Sequence, residues 1–131
     1  MELNIGDNIT KVTEVTEDKL AVSVGSGDLR VMATPMVVAL MENAAAELAQ
    51  RGLEEGYTTV GTEISVNHTS PTPMNSLVWA KATLTETDGR TFKFDVEAYD
   101  KKGTVSVGKH TRVSVKADKF QKKADEKFNE V

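Results

Sequence analysis

The sequence predicts an α+β domain in which an antiparallel sheet wraps one long central helix. Three observations predict it. A segment opened by Thr34-Pro35 carries apolar residues at helical spacing, and beyond it the pattern switches to alternation over four segments. Those segments are separated by turn signals, with Asp88-Gly89 the strongest. A sheet with one apolar face must bury it, and the helix is the available cover.

Each element follows from its residues. Ile9 to Val24 reads as two short extended pieces, with Val12 and Val15 in the first and Leu20, Val22 and Val24 alternating in the second. Gly25-Ser26-Gly27-Asp28 is a loop and not a nucleotide fingerprint: Arg30 stands where a third glycine would be needed, and no Gly-Lys-Ser/Thr follows. Thr34 suits a helix N-cap, because its hydroxyl can accept from an orphan backbone N–H, and Pro35 suits the first helical position. Val37, Leu40, Met41, Ala44 and Leu48 form the apolar stripe, and Gly52 and Gly56 offer places to stop.

In the next strand Val60, Ile64 and Val66 share one face, and Thr59, Gly61, Glu63 and Ser65 the other. The loop Thr69-Ser70-Pro71-Thr72-Pro73 ends it. Val78, Ala80, Ala82 and Leu84 make a second strand face, and Phe92, Phe94, Val96 and Ala98 a third. Asp100-Lys101-Lys102-Gly103 turns the chain into a last strand with Val105, Val107, Val113 and Val115. Asp118 caps a short amphipathic helix carrying Phe120, Ala124 and Phe128, so 118–131 is a short helix and tail on a single domain, 1–131. A helix wrapped by a curved antiparallel sheet is the hot-dog arrangement.

Composition removes several function classes. The chain has 131 residues and a net charge of -4, which speaks against a globally cationic nucleic-acid binder. With no cysteine there are no disulfides, thiolate metal sites or cysteine nucleophiles, and two histidines are too few for an all-histidine metal site. No stretch approaches ~18 apolar residues, so no membrane span is expected. Met1 to Asp7 does not read as a secretory signal, which points to the cytoplasm and makes the glycosylation-like triplets at Asn8 and Asn67 coincidences. Charge is uneven: residues 1–65 hold four basic and eleven acidic side chains, residues 66–131 twelve and nine. Within 103–123, Lys109, Arg112, Lys116, Lys119, Lys122 and Lys123 stand against Asp118 alone. That segment is either a solvated strand and helix face or a small cationic patch for a ligand carrying a few phosphates.

Four residues carry candidate chemistry. Glu42 has Val38, Ala39, Ala45 and Ala46 as helical neighbours. A carboxylate on an apolar helix surface is costly unless it escapes at the edge of the stripe or is used, and burial would raise its pKa toward that of a general base. His68 shares the parity of Val60, Ile64 and Val66 and points to the core face where the strand enters the Pro-rich loop; it is either a structural core histidine or a site residue. Thr34 is a cap, or a site residue about 80° around the helix from Glu42 and two turns away, beside a helix N-terminus whose free N–H groups suit a polarised carbonyl oxygen. Arg112 lies opposite Val113 and Val115, the place of a surface charge, unless Gly108 holds a bulge that changes the parity.

Gly25-Ser26-Gly27-Asp28-Leu29, Ala33-Thr34-Pro35, Met41-Glu42, Thr58 to Thr62, His68, Pro71-Thr72-Pro73 and Gly108 to Arg112 resemble the fluoroacetyl-CoA thioesterase-like branch of the hot-dog thioesterases over roughly residues 10 to 121. The resemblance implies a thioester hydrolase with a catalytic threonine, glutamate and histidine at Thr34, Glu42 and His68. It implies Gly61 and Arg112 as substrate-binding residues near the acyl thioester. It also implies a homodimer with sites at the subunit interface, acting on acyl-CoA without metal or added cofactor. The aromatic lid of the fluoroacetyl-specific member has no counterpart in Gly25 to Met32, which holds no aromatic residue.

The reaction this implies is hydrolysis of a small or medium acyl-CoA to the free acid and CoA. Glu42 would activate water or attack directly to give an anhydride. His68 would hold or shuttle the proton and stabilise the leaving thiolate, and Thr34 would orient Glu42 or the thioester, or serve as nucleophile itself. A non-catalytic acyl-CoA or acyl-carrier binding module and a hydratase or dehydratase on the same fold are the alternatives. Turnover separates the first from hydrolysis, and product mass the second.

Overall fold

The computed structural model describes residues 2–129, so the end of the expected tail lies outside the described residues. Five strands form one antiparallel sheet: β1 (Asn8–Glu14), β2 (Tyr57–His68), β3 (Leu77–Thr87), β4 (Thr91–Asp100) and β5 (Gly103–Lys116). Their spatial order is β1-β3-β4-β5-β2, which leaves β1 and the twelve-residue β2 as edges. A short helix α1 (Ala21–Val24), the long helix α2 (Thr34–Gln50) and a C-terminal helix α3 (Ala117–Asp125) complete the fold. It is the α+β hot-dog arrangement expected from the sequence. Among the described residues no helix is long and apolar enough to cross a membrane.

The α2 stripe packs as the spacing requires. Val37, Met41, Ala44, Ala45, Leu48 and Ala49 are buried, and Leu40 is partly buried against the same core. Opposite them lie Val78, Ala80, Ala82 and Leu84 of β3 and Phe92, Phe94, Val96 and Ala98 of β4, all in one cluster. Alanines on both surfaces let the helix sit close to the sheet, and the two phenylalanines fill the deeper space. Gly89, at φ 90, makes the β3–β4 turn. The Asp88 carboxylate accepts the N–H groups of Thr91 and Arg90, which hold its carboxyl below the ordinary value.

Three readings of the sequence are corrected. Leu20, Val22 and Val24 alternate, but the chain there closes a single helical turn, α1, instead of a strand. Gly25 takes the left-handed conformation, and its N–H reaches the Ala21 carbonyl. Val22 and Val24 are left exposed because no strand lies beside them to pair with. At the other end, α3 starts at Ala117 with Lys116 as cap, so Asp118 sits in the first turn and does not cap it.

The third correction concerns which faces of β2 and β5 turn inward. The β2–β5 register shifts between Gly61 and Glu63, so Thr62 is an extra residue. Thr59 and Gly61 before it, and Val66 and His68 after it, therefore all face α2; Val60 does not share their face. On β5 the register against β4 shifts near Val105, which is buried with its neighbour Ser106. Beyond that shift Ser106, His110 and Arg112 point inward, and Val107 is exposed. The valines of β5 past the bulge line the outer face, and the inner face is polar. Arg112 is thus opposite Val113 and Val115 as read, yet 8% exposed and inside.

Gly108 holds no bulge: it pairs with Val66 on one side and Val96 on the other. Its role is close approach. A Cβ there would stand 2.1 Å from the Ser65 carbonyl oxygen and 2.7 Å from Val66 Cγ1. Backbone cannot yield as a flexible side chain can, so Gly108→Ala must push β2 off β5. We expect a loss of about 3 kcal/mol, a fall in Tm of roughly 10 °C by differential scanning calorimetry. A Tm equal to wild type would mean that the two strands do not depend on this contact.

Candidate active site

Polar side chains gather at two places along α2. At its start, Thr34 Oγ1 lies 2.7 Å from Nδ1 of His68, at the end of β2. Thr34 is the first helical residue, and Ala33 is the N-cap with no side-chain cap bond. The threonine hydroxyl does not cap the helix; it faces the imidazole. Nε2 of His68 is buried and has no hydrogen-bond partner among the described residues. When Nδ1 accepts from the hydroxyl, Nε2 carries the ring proton and can serve a group from outside the chain. A cleft of about 290 Å³ opens beside the pair, lined by Ala21, Ser26, Val31 and Met32 among others, with no Phe, Tyr or Trp.

The second place lies eight residues further along α2, about 12 Å down the axis. Glu42 stands there over Gly61: a Cβ on that glycine would come within 2.9 Å of Glu42 Oε2. Arg112 reaches in from β5, with Nη1 4.0 Å from the same oxygen. Its guanidinium is otherwise held on the sheet. Nε donates to Thr59 Oγ1 at 2.8 Å and Nη2 to the Thr59 carbonyl at 3.0 Å. Nη1 lies 3.2 Å from His110 Nε2.

His110 is 2% exposed and lies 2.8 Å through Nδ1 from the carbonyl of Glu63, just past the β2 bulge. Its ring stacks on Phe94 with centroids 6.1 Å apart. Burial pushes the His110 imidazole below its ordinary value; the Glu63 carbonyl opposes the shift, the Arg112 cation adds to it, and Glu42 opposes it. Burial lowers Arg112 as well, and Glu42 offsets part of that.

The structure therefore joins Thr34 to His68, and Glu42 to Gly61 and Arg112, but it does not bring Glu42 to Thr34 and His68 within one chain. The desolvation expected at Glu42 is also incomplete here, since 39% of its side chain is exposed. Thr59 and His110 were not among the residues singled out from sequence. The available signal was His110-Thr111-Arg112, two strong hydrogen-bonding side chains with the spacing of one strand face.

The cationic segment does not act as one patch. Lys109 pairs with Asp95 at 2.7 Å on the outer sheet face, and Arg112 is buried. Lys116, Lys119 and Lys123 join Arg90 around a groove of about 460 Å³ that also has Tyr57 and Phe120 in its wall. A larger concavity, about 640 Å³, lies on the outer face among Lys81, Asp95 and Lys109 and contains none of Thr34, Glu42, Gly61, His68 and Arg112. Its walls are strand side chains joined in ion pairs such as Lys81–Glu97 and Lys109–Asp95, the ordinary furniture of a solvated sheet face.

The chain matches known proteins over most of its length. Residues 15–118 match the profile of the fluoroacetyl-CoA-specific thioesterase family. The fluoroacetyl-CoA thioesterase of Streptantibioticus cattleyicolor is 35% identical over 97 residues, 74% of this chain and 70% of the relative. A solved structure of the fluoroacetyl-CoA thioesterase FlK superposes with a TM-score of 0.90 at 28% identity, covering 97% of this chain and 98% of the other. A variant of FlK solved with acetyl-CoA gives 0.91 at 28% identity over 96% and 99%. A thioesterase superfamily member from Thermus thermophilus gives 0.83 at 25% identity over 92% and 89%.

The depressed His110 has a consequence for folding. Its ordinary value is 6.5, and the folded protein binds its proton less readily than the unfolded chain. Stability is then full above about pH 6.5 and falls as pH drops toward the folded value, because the unfolded state takes up the proton first. The charged groups facing this ring are Arg112 on its own strand and Glu42 on α2. We expect the Tm of the wild type to fall more steeply than that of His110→Gln between about pH 6.5 and about pH 5. Parallel Tm curves would show that His110 does not set the slope.

Proposed function

Because the chain belongs to the fluoroacetyl-CoA-specific thioesterase family, we propose that it hydrolyses a small or medium acyl-CoA thioester to the free acid and CoA. The observation that carries the reading is the Thr34 hydroxyl against His68 Nδ1 at 2.7 Å, on residues that the family resemblance makes catalytic. Glu42 is the general base that takes a proton from the attacking water. Arg112 Nη1 stands 4.0 Å from its Oε2. Thr34 orients His68, whose Nε2–H meets the departing thiolate. The start of α2 offers N–H groups to the thioester oxygen as negative charge develops on it. The small-residue cleft beside Thr34 takes the acyl group, and it has room for more than a two-carbon chain. Gly61 keeps the floor of the site low enough for substrate to pass over Glu42.

We propose further that the working unit is a homodimer with two sites at its interface. Three features support this. β2 is a long edge strand with a free side. Val38 and Ala39 lie next to Glu42 on a part of α2 that the core does not fully cover. The two halves of the site lie apart in one chain. Antiparallel pairing of β2 with its own copy runs the two strands in opposite directions. It brings the His68 end of one toward the Gly61 region of the other, so Glu42 of one chain can serve the Thr34–His68 pair of the next. The groove of Arg90, Lys116, Lys119 and Lys123 is the place we assign to the phosphates of CoA.

Free-thiol release over a panel of acyl-CoAs, short, long, branched and aromatic, tests the activity. Glu42→Gln should lower kcat by about 10² to 10⁴ on every substrate the wild type turns over, with little change in Tm. Wild-type rates in the variant would remove Glu42 from the chemistry. Binding without turnover across the panel would make the protein a binding module. Light scattering at assay concentration should give twice the chain mass of 14.2 kDa. A monomer that still turns over would place the whole site within one chain.

A further inference from the structure

We propose that His110 is a positioning residue: its Nε2 lone pair aims the Arg112 guanidinium at Glu42. The inference deepens the reading of Glu42 as general base, and only its kinetic arm rests on that reading. Neither the expected catalytic set nor the expected substrate contacts include this histidine.

The geometry carries it. The Glu63 backbone at 2.8 Å offers only an acceptor, so Nδ1 must be the protonated ring nitrogen there. Nε2 then has a lone pair and no hydrogen, and Arg112 Nη1 donates to it from 3.2 Å. Stacking on Phe94 fixes the plane of the ring. A buried guanidinium needs acceptors for its donors, and the outer two directions are taken by Thr59. The His110 lone pair is what holds the remaining nitrogen, Nη1, on the side that meets Glu42. A histidine that merely filled space would not need its tautomer set by a bulge carbonyl, nor an arginine two residues on along the same face.

Two substitutions separate the positioning role from a packing role. The amide of Gln reaches about as far as Nε2 and can accept from Arg112. The shorter amide of Asn reaches about as far as Nδ1 and can satisfy only the Glu63 carbonyl. In the wild type, ¹⁵N-resolved NMR of the ring should show the Nδ1–H tautomer of a neutral imidazole near pH 7; an Nε2–H tautomer would overturn the proposal without any variant. The Arg112 side-chain N–H signals should be slowed and dispersed in the wild type and in His110→Gln, and averaged in His110→Asn. With a substrate the wild type hydrolyses, His110→Asn should lose about tenfold in kcat at similar KM, while His110→Gln stays within about threefold. Equal Arg112 spectra in the two variants, or equal kcat at matched Tm, would reduce His110 to a core residue. If the wild type hydrolyses none of the panel, the catalytic reading fails while the NMR arm still decides this one.

Discussion

A buried guanidinium requires acceptors on every side, and the inner surface of β2 and β5 is organised by that requirement. Arg112 lies between a sheet and a helix where an unanswered donor would cost on the order of 1–3 kcal/mol or more. Thr59 supplies a hydroxyl and a carbonyl, His110 a ring nitrogen, and Glu42 the opposite charge. Each of those partners depends on something else. Thr59 faces inward only because the β2 bulge lies after it, and His110 is oriented by a carbonyl that the same bulge presents. Glu42 needs the missing side chain of Gly61. One cation thus ties together a strand irregularity, a glycine and a helix face that are far apart in sequence.

The framework was legible because its signals are long and redundant. β3 and β4 each bury four alternating apolar residues, and the α2 stripe runs for three turns. Turn chemistry at Asp88-Gly89 and at Asp100 to Gly103 left little choice of pairing. What was not legible is the part that breaks the period. A bulge adds one residue and exchanges the faces of a strand, so parity counted from Val60 gives the wrong side for Gly61, and Val107, Val113 and Val115 of β5 look like a continuation of the core that Val105 joins when they are not. The polar inner face of β5 is a local exception to the rule that apolar residues go inside, and such exceptions collect where chemistry is done. Leu20 to Val24 failed for a simpler reason: three alternating residues do not distinguish a strand from one helical turn.

Of the candidate site, Thr34, Glu42, His68, Gly61 and Arg112 can be named as candidates from sequence, whereas their grouping, and the part of Thr59 and His110 in it, cannot. Thr34 and Glu42 share a helix and stand two turns apart on it. The sheet resolves that pair into two stations, with His68 at one and Gly61 and Arg112 at the other. Sequence spacing along a helix fixes direction but not which strand residue stands opposite, and that assignment depends on register. The proposed homodimer would bring such stations together, because an antiparallel two-fold pairing matches the far end of one edge strand to the near end of the other.

The uncapped start of α2 has a consequence for how this protein would respond to selection for heat resistance. A helix of this length ordinarily gains about 1 kcal/mol from a side-chain cap. Here the residue best suited to cap, Thr34, turns its oxygen to His68, and the preceding Ala33 is buried at 1% exposure, so a longer polar side chain there would have to displace core. The first turn of α2 is therefore a reservoir of unclaimed stability at the mouth of the cleft. On the roles proposed for Thr34 and His68, variants that recover it by retargeting the Thr34 hydroxyl or inserting a carboxylate nearby would melt later and work worse. Directed evolution for thermostability would find its easiest gain where activity has the most to lose.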